Sequence, residues 1–170
     1  MNLRECRYIV ALSFCFFVIS GSAKASLPTP EGYTLFEKIS GDLNGDTIDD
    51  HVLIVKDTKK DKVVQHEYFG ELDRNRRGIL IYLSNNGKFD LVTKNLDCFS
   101  SENEDGGGYF APELSVETQK GHLVLHYGHG KYGYWTYNFR YQNSDFELIE
   151  YFSASHRGSC LLYTSPSPRD

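Results

Sequence analysis

The chain has 170 residues, a formal net charge of −5 at neutral pH and a mean hydropathy of −0.44. This acidic balance argues against nucleic acid and anionic membranes as partners, and it favours a cation or a basic protein. The length allows about one domain with a modest core once the two terminal segments are set aside.

The first 25 residues have the pattern of a cleaved export signal. Arg4 and Arg7 precede an apolar run over 8–19, and Ala23-Lys24-Ala25 matches an A-x-A cleavage site. The apolar run is shorter than the roughly 20 residues of a membrane-spanning helix, which disfavours the alternative of a membrane anchor. We therefore expect a periplasmic or secreted mature domain that begins at Ser26.

The last eleven residues, CLLYTSPSPRD (160–170), break with the preceding pattern. They resemble an in-frame translation of a transposon-type sequencing adapter, so we expect the native protein to continue beyond Ser159; a natural Pro/Ser tail is the alternative. Residues 26–159 hold 14 Lys and Arg against 21 Asp and Glu, a net charge of −7. Cys98 is their only cysteine, which excludes an internal disulfide and suggests a lone buried thiol.

Short apolar or alternating runs separated by Gly, Asn and Asp predict an all-β domain, with at most a minor helical element. The run HVLIV (51–55) predicts a strand buried on both faces. Antiparallel hairpins are predicted around Asn85-Asn86-Gly87, Lys120-Gly121 and Asn143-Ser144. Such a meander of hairpins forms either a β-propeller blade or a small sandwich.

The last hairpin carries the strongest prediction of a hydrophobic core. Aromatic side chains alternate with polar ones along YWTYNFRYQ, and apolar side chains face them from DFELIEYF: Trp135, Tyr137, Phe139 and Tyr141 against Phe146, Leu148 and Ile149. We interpret them as packing residues, with a sugar-binding platform as the alternative. The charged segment 57–77 is predicted to be a connection with one poor strand at Val63–Tyr68, and the acidic, glycine-rich segment 100–112 a second long loop.

The stretch GDLNGDTIDD (41–50) has the spacing of a hard-cation site. Counted from Asp42, oxygen donors fall at alternate positions 1, 3, 5, 7 and 9: the side chains of Asp42, Asn44, Asp46 and Asp50 and the carbonyl of Ile48. Ca²⁺ takes six to eight such oxygens, Mg²⁺ demands stricter geometry, and the lack of Cys and His disfavours zinc. We predict a calcium site; the alternative is an acidic turn whose carboxylates cap backbone amides.

This loop is not an EF-hand, because Leu53 stands where a bidentate Glu is required. With GDLNGD, the closing Asp50 and the following VLIV, it resembles the calcium loops of FG-GAP-type β-propeller repeats. Those loops usually have Gly at the sixth position, where this chain has Thr47. A β-branched residue forced to positive φ costs about 1 kcal/mol or more, so we expect weakened calcium affinity.

No local motif of an enzyme is present: the sequence lacks G-x-S-x-G, a P-loop, H-E-x-x-H and paired C-x-x-C. His122 and His126 would lie roughly 13 Å apart on one strand, too far for a shared zinc ion. HYGHGKYGYW (126–135) predicts a glycine-rich bend that presents contact residues to a partner: His129, Lys131, Tyr132 and Tyr134. Burial of its tyrosines beside Trp135 is the alternative.

The calcium-type loop together with YGYWTYNFRYQNSDFELIEY resembles a family of bacterial periplasmic proteins that includes calcium-binding immunity proteins and inhibitors of lysozyme-like peptidoglycan hydrolases. Related inhibitors insert an S-G-x-x-Y loop into the enzyme cleft. Here Gly130 matches, whereas His129 replaces Ser and Gly133 replaces Tyr. The resemblance implies a non-enzymatic domain that binds a basic hydrolase. Alternatives are an adhesion or glycan-binding fragment of a larger propeller, and an uncharacterised hydrolase.

Overall fold

The computed structural model describes residues 27–103, 111–157 and 160–164, with side chains as far as residue 155. The predicted export signal and the centre of the predicted acidic loop, 104–110, lie outside these residues. The segment that we interpret as an adapter translation is described only over 160–164, as a strand.

The described chain is built from antiparallel β-strands and two 3₁₀ turns, at Lys60–Lys62 and Gly130–Tyr132. The strands are β1 (Tyr33–Gly41), β2 (Asp50–Asp57), β3 (Val63–His66), β4 (Gly70–Asp73), β5 (Arg77–Asn85), β6 (Lys88–Phe99), β7 (Glu113–Gln119), β8 (His122–Gly128), β9 (Gly133–Gln142), β10 (Asp145–Arg157) and β11 (Cys160–Thr164). This confirms the predicted all-β class.

Three sheets result from these strands. The first has the order β1-β2-β5-β6 and the second β11-β10-β9-β8-β7, while β3 and β4 pair only with each other in a two-stranded ribbon. Every neighbouring pair is antiparallel, and the three predicted hairpins are confirmed as β5–β6, β7–β8 and β9–β10.

The two larger sheets face each other across one hydrophobic core, so the fold is a β-sandwich. The first sheet contributes the buried side chains of Val52, Ile54, Ile79, Ile81 and Leu83, and the second contributes Val116 and Leu123. Phe139, Tyr141 and Phe146 of the predicted aromatic hairpin pack against this core, which confirms the packing role of these three. The prediction was wrong for Leu148, which is 52% exposed beside an irregularity in the β9–β10 pairing between Leu148 and Glu150. The Thr118 hydroxyl donates a hydrogen bond to the Ser40 carbonyl (3.1 Å) and joins β7 to β1.

The opposite face of the first sheet is covered as well. Leu53 and Val55 of β2 and Leu80 and Tyr82 of β5 form a second buried cluster, on which Leu27 packs. The Tyr82 hydroxyl donates to the carbonyl of Pro28 (3.1 Å), which fixes the N-terminal segment over the sheet. As predicted, β2 is therefore buried on both faces.

The strand directions give the sandwich two different ends. One end carries the loop 42–49 and the tight turns at 86–87, 120–121 and 143–144. The other end carries the long connection 58–76, the turn 129–132, and the described residues that follow β6 and precede β7, 100–103 and 111–112. The hydrogen bond from the Thr118 hydroxyl to the Ser40 carbonyl joins β7 to β1 at the first end, so the two sheets share these ends. We call them the acidic-loop end and the long-connection end.

Cys98 differs from its prediction as a buried thiol, because this residue of β6 is exposed. Its Sγ nevertheless lies 3.6 Å from the Asn95 carbonyl oxygen, and desolvation of the thiol raises the pKa of Cys98 to about 11. The side chain is therefore a neutral thiol at physiological pH, and a weak nucleophile.

Candidate functional site

The predicted calcium loop joins the end of β1 to the start of β2. Its backbone curls because two residues adopt the left-handed region, Gly45 with φ 81° and Thr47 with φ 68°. The conformation expected at the sixth position is thus present, although the residue there is β-branched rather than Gly. The strain at Thr47 is of the order of 1 kcal/mol.

Asp42 organises the first half of the loop. Its Oδ1 accepts the backbone N–H groups of Gly45 (2.7 Å) and Asn44 (3.2 Å), and its Oδ2 accepts that of Thr47 (2.8 Å). Desolvation raises the pKa of Asp42, but these amide donors outweigh it and hold the pKa below its ordinary value of 3.8. The group is therefore a carboxylate at neutral pH.

Asn44 and Asp46 continue the same pattern on exposed positions. The Asp46 N–H donates to Asn44 Oδ1 (2.9 Å), and the Ile48 N–H donates to Asp46 Oδ1 (2.8 Å). Asn44 Nδ2 also donates to Asp46 Oδ2 (3.1 Å). Alternate side chains thus fold back onto the loop's own amides, as the alternative interpretation of an acidic turn also expects.

Asp50 is oriented differently from the other three. It is fully buried, with its Oδ2 accepting the Leu43 N–H (2.8 Å) and its Oδ1 accepting the Ser84 N–H (2.8 Å). No Lys, Arg or His in the described part of the chain forms an ion pair with it. Its carboxyl group therefore ties the loop to β5.

The structure divides the four predicted side-chain ligands into two groups. Asp42, Asn44 and Asp46 share one hydrogen-bonded network, whereas Asp50 is buried and bonds Leu43 and Ser84. Over the described residues, no set of three or more Asp, Glu, His or Cys side chains already converges as a metal cage. The donor set remains all-oxygen, which fits a hard cation, and each oxygen that accepts one amide retains a second lone pair.

The second predicted site, the bend of four partner-binding residues, lies between β8 and β9 at the long-connection end. The His129 N–H donates to the Gly133 carbonyl (2.8 Å), which closes the turn. The rings of His129 and Tyr132 lie 5.1 Å apart, and Lys131 Nζ lies 5.3 Å from the Tyr132 ring centre. These three residues form one small surface, on which Tyr132 is 43% exposed.

Tyr134 does not belong to that surface. It lies on β9 between its cross-strand neighbours Gly128 and Ala154, and its ring contacts those of His126 (5.5 Å) and Phe152 (5.6 Å). Trp135 points to the other side of the strand and stacks on Tyr127 at 5.2 Å. Alternation along β9 therefore separates Tyr134 from the turn.

Sequence reasoning missed the tip of the β3–β4 ribbon as a candidate contact surface. Tyr68 and Phe69 there are 79% and 69% exposed. The prediction had one poor strand at 63–68 in an extended connection; the structure has two short strands with these aromatic residues between them. The sequence features that could have identified it are Gly70, a turn residue, and the apolar residues on either side of the turn, Val63-Val64 and Leu72.

A cavity of about 680 Å³ lies between this ribbon and the first sheet. Its lining mixes cations with carboxylates: Lys59, Lys62, Arg74 and Arg76 with Asp57, Asp61 and Asp97, beside Tyr33, Val64, Leu96 and Ser101. Ion pairs join Lys59 to Asp57 (2.7 Å) and Arg76 to Asp97 (2.6 Å). The lining thus neutralises much of its own charge.

Comparisons of the chain with protein-family models, with curated proteins and with solved structures found no match. Among the described residues, no helix is long and apolar enough to cross a membrane.

Proposed function

We propose that the protein is an exported, calcium-binding β domain that acts by binding another protein, as an inhibitor of or immunity protein against a basic, lysozyme-like peptidoglycan hydrolase. The observation that carries the calcium part is the curl of residues 42–50, in which oxygen-bearing side chains alternate and Thr47 takes a left-handed conformation despite its cost. Export rests on the N-terminal sequence, and the partner class rests on charge and on the sequence resemblance.

The residues that would hold calcium are Asp42, Asn44, Asp46, the Ile48 carbonyl and Asp50. Calcium, when bound, supplies a divalent charge that offsets the crowded carboxylates. Asp42 is ionised and held in place by three amides, and Asp50 is fixed by two more, so the protein itself orients two of the carboxylates. Asp46 is the exposed one of these three carboxylates, so it adds negative charge to the loop but has no role in the buried core.

Calcium should therefore raise the melting temperature of residues 26–159, measured in calcium and in chelator. Asp46→Ala should abolish the increment, because it removes a predicted ligand without disturbing the buried network. Asp49→Ala is the matched control: it removes one carboxylate from the same loop at a position outside the alternating set, and should retain the increment. A domain with equal melting temperatures in chelator and in millimolar calcium would exclude the site.

The partner part of the proposal is supported by electrostatics and by the long-connection end. A net charge of −7 over residues 26–159 would steer the domain toward a basic enzyme. The turn of His129, Lys131 and Tyr132 offers an exposed aromatic edge at that end. The absence from the sequence of local catalytic motifs supports binding rather than catalysis.

The test of this part is inhibition of cell-wall lysis. Purified residues 26–159 should slow lysis of peptidoglycan by at least one basic lysozyme-type hydrolase, and the inhibition should weaken as salt screens the charges. A domain that neither binds nor inhibits any of a panel of such enzymes would refute the proposed partner class.

A second candidate function is adhesion or glycan binding as part of a larger FG-GAP-type propeller. One observation favours it: the first sheet is a four-stranded antiparallel meander, interrupted only by the ribbon, and it faces a second meander as neighbouring blades do in a propeller. The native sequence downstream of residue 159 separates the two functions, since further D-x-N-x-D loops would indicate more blades.

A further inference from the structure

The β3–β4 ribbon stands apart from both large sheets and carries the most exposed large hydrophobic side chains of the described chain at its tip. Tyr68 and Phe69 are 79% and 69% exposed, compared with at most 52% for the other exposed hydrophobic residues. Two adjacent aromatic residues in this position have no packing role in the domain that exposes them. Such a tip is typical of a contact element.

The base of the ribbon is held firmly. Asp73 accepts from Lys56 Nζ (2.9 Å), and its carbonyl accepts Asn103 Nδ2 (3.0 Å). The side chain of the buried Asn75 bonds both backbone groups of Lys59, its Oδ1 accepting the N–H and its Nδ2 donating to the carbonyl, each at 3.0 Å. Since an isolated two-stranded ribbon is only marginally stable, these clamps are what present the tip in a defined place.

The tip is also ordered within itself. The His66 ring lies 4.9 Å from the ring of Phe69 and 6.1 Å from that of Tyr68, and the Tyr68 N–H donates to His66 Nδ1 (3.2 Å). Both aromatic rings therefore lie beside the His66 ring of the same ribbon. An ordered aromatic tip loses little conformational entropy on binding.

The charges around the tip select the kind of partner. Glu67 and Glu71 flank the aromatic pair and are exposed, and the sequence from Val63 to Asp73 contains no Lys or Arg. An anionic membrane would be repelled by these carboxylates, whereas a basic rim around an apolar cleft complements them.

We propose that the Tyr68-Phe69 tip inserts into an apolar cleft with a basic rim on the partner protein, and that it is the principal anchor of the complex. The inference rests on the proposed protein-binding function and assigns to it a surface other than the 129–134 bend. The ribbon leaves the sandwich at the long-connection end, as does the turn of His129, Lys131 and Tyr132, so that turn would make peripheral contacts beside the anchor.

The experiment measures binding of residues 26–159 to a panel of basic lysozyme-type hydrolases and to vesicles of anionic and of zwitterionic lipid. The test variant is Tyr68→Ser with Phe69→Ser, and the control is Leu148→Ser, on β10, which at 52% is the next most exposed of the large hydrophobic side chains in the described part of the chain. We expect the tip variant to keep the wild-type melting temperature and to bind the hydrolase about 30-fold more weakly. The control should bind like the wild type.

Each other outcome is decisive. A tip variant that binds the hydrolase as tightly as the wild type overturns the inference and leaves the proposed function intact. Wild-type binding to vesicles that the tip variant loses also overturns it, because the tip is then a membrane element. A wild-type domain that binds no hydrolase in the panel refutes the proposed partner class itself, and the inference with it.

Discussion

The carboxylate of Asp50 and the backbone N–H of Ser84 are joined by a buried 2.8 Å hydrogen bond that connects the acidic loop to the end of β5, a central strand of the first sheet. The second oxygen of the same carboxylate accepts the Leu43 N–H at 2.8 Å. Asp50 is fully buried and Leu43 is a member of the main core, so the loop is part of the folded interior at this point. Its conformation is therefore coupled to the stability of the whole domain.

Asp50→Asn should lower the free energy of unfolding by about 3 kcal/mol, because the new amide nitrogen must face one of the two backbone N–H groups that now donate to oxygen. Urea unfolding in chelator measures this effect without any contribution from calcium. Asp49→Asn, on an exposed neighbour, should change the same quantity by less than about 0.5 kcal/mol. A loss at Asp50 as small as that of the control would show that the two buried hydrogen bonds contribute little.

Thr47→Gly should stabilise the domain, because Thr47 has φ 68° and Gly accepts this conformation without a Cβ clash. We expect a gain of about 0.5 to 1 kcal/mol in the free energy of unfolding, the relief of strain less the entropy of a more flexible unfolded chain. Calcium affinity, measured by calorimetric titration, should rise in parallel.

Thr47→Ala separates strain from the loss of the side chain. Ala keeps a Cβ in the left-handed region, so Thr47→Ala should raise the free energy of unfolding much less than Thr47→Gly does. Equal stability of the Gly variant and the wild type would mean that the loop tolerates the Thr without measurable strain.

Lys56 should control how firmly the ribbon is held. Its Nζ contacts both Asp73 (2.9 Å) and Glu102 (3.1 Å), and Lys56→Met keeps the aliphatic packing while removing both ion pairs. Because these ion pairs are partly exposed, we expect the substitution to lower the free energy of unfolding by only about 1 kcal/mol. Cleavage by chymotrypsin after Tyr68 or Phe69 should nevertheless become faster. Lys88→Met, at the exposed first residue of β6, is the control. Equal cleavage rates in the two variants would contradict the role of Lys56 in holding the ribbon.

The same clamp should weaken in acid. Desolvation raises the pKa of Asp73, but the Asn75 N–H and the Lys56 ammonium outweigh it and leave the pKa below 3.8. A lowered carboxylate pKa means that the folded form binds a proton less readily than the unfolded form does. The contribution of Asp73 is therefore complete above 3.8 and is lost as pH falls through the folded-state pKa. The protection factors of the ribbon amides, which are exchange rates corrected for the pH dependence of intrinsic exchange, should fall below that range and stay constant from about pH 5 to pH 7.

Local sequence features predicted most of the sandwich. Turn residues at Asn86, Lys120 and Asn143 do adopt positive φ, and the continuous apolar run of β2 is buried on both faces, because both features act over a few residues. The ribbon was only partly predicted, since it buries little apolar surface and so carries no clear periodicity. Its position depends on distant contacts such as Lys56 with Asp73, which sequence spacing does not reveal.

The candidate calcium loop shows a different limit of prediction from sequence. Spacing identified which residues carry oxygen, and the left-handed conformation at Thr47 was expected from it. The inward direction of the Asp50 side chain was not expected, although the alternation of side chains along β2 indicates it. Asp50 lies on the same face of β2 as Val52 and Ile54, and both of those side chains point into the main core. A ligand list based on loop position alone therefore overlooked the support that Asp50 gives to Leu43 and Ser84.

Gly133 should determine whether the turn of His129, Lys131 and Tyr132 forms at all. It has φ 126°, a Cβ there would overlap the Ala154 carbonyl, and its own carbonyl accepts the His129 N–H. Gly133→Ala should therefore cost about 3 kcal/mol in the free energy of unfolding and displace the turn. Gly128→Ala, at the other side of the turn, has its nearest neighbour at an ordinary 3.8 Å and should cost less than about 0.5 kcal/mol. Urea unfolding measures both, and a Gly133 variant as stable as the Gly128 variant would show that β10 can move away from this strand.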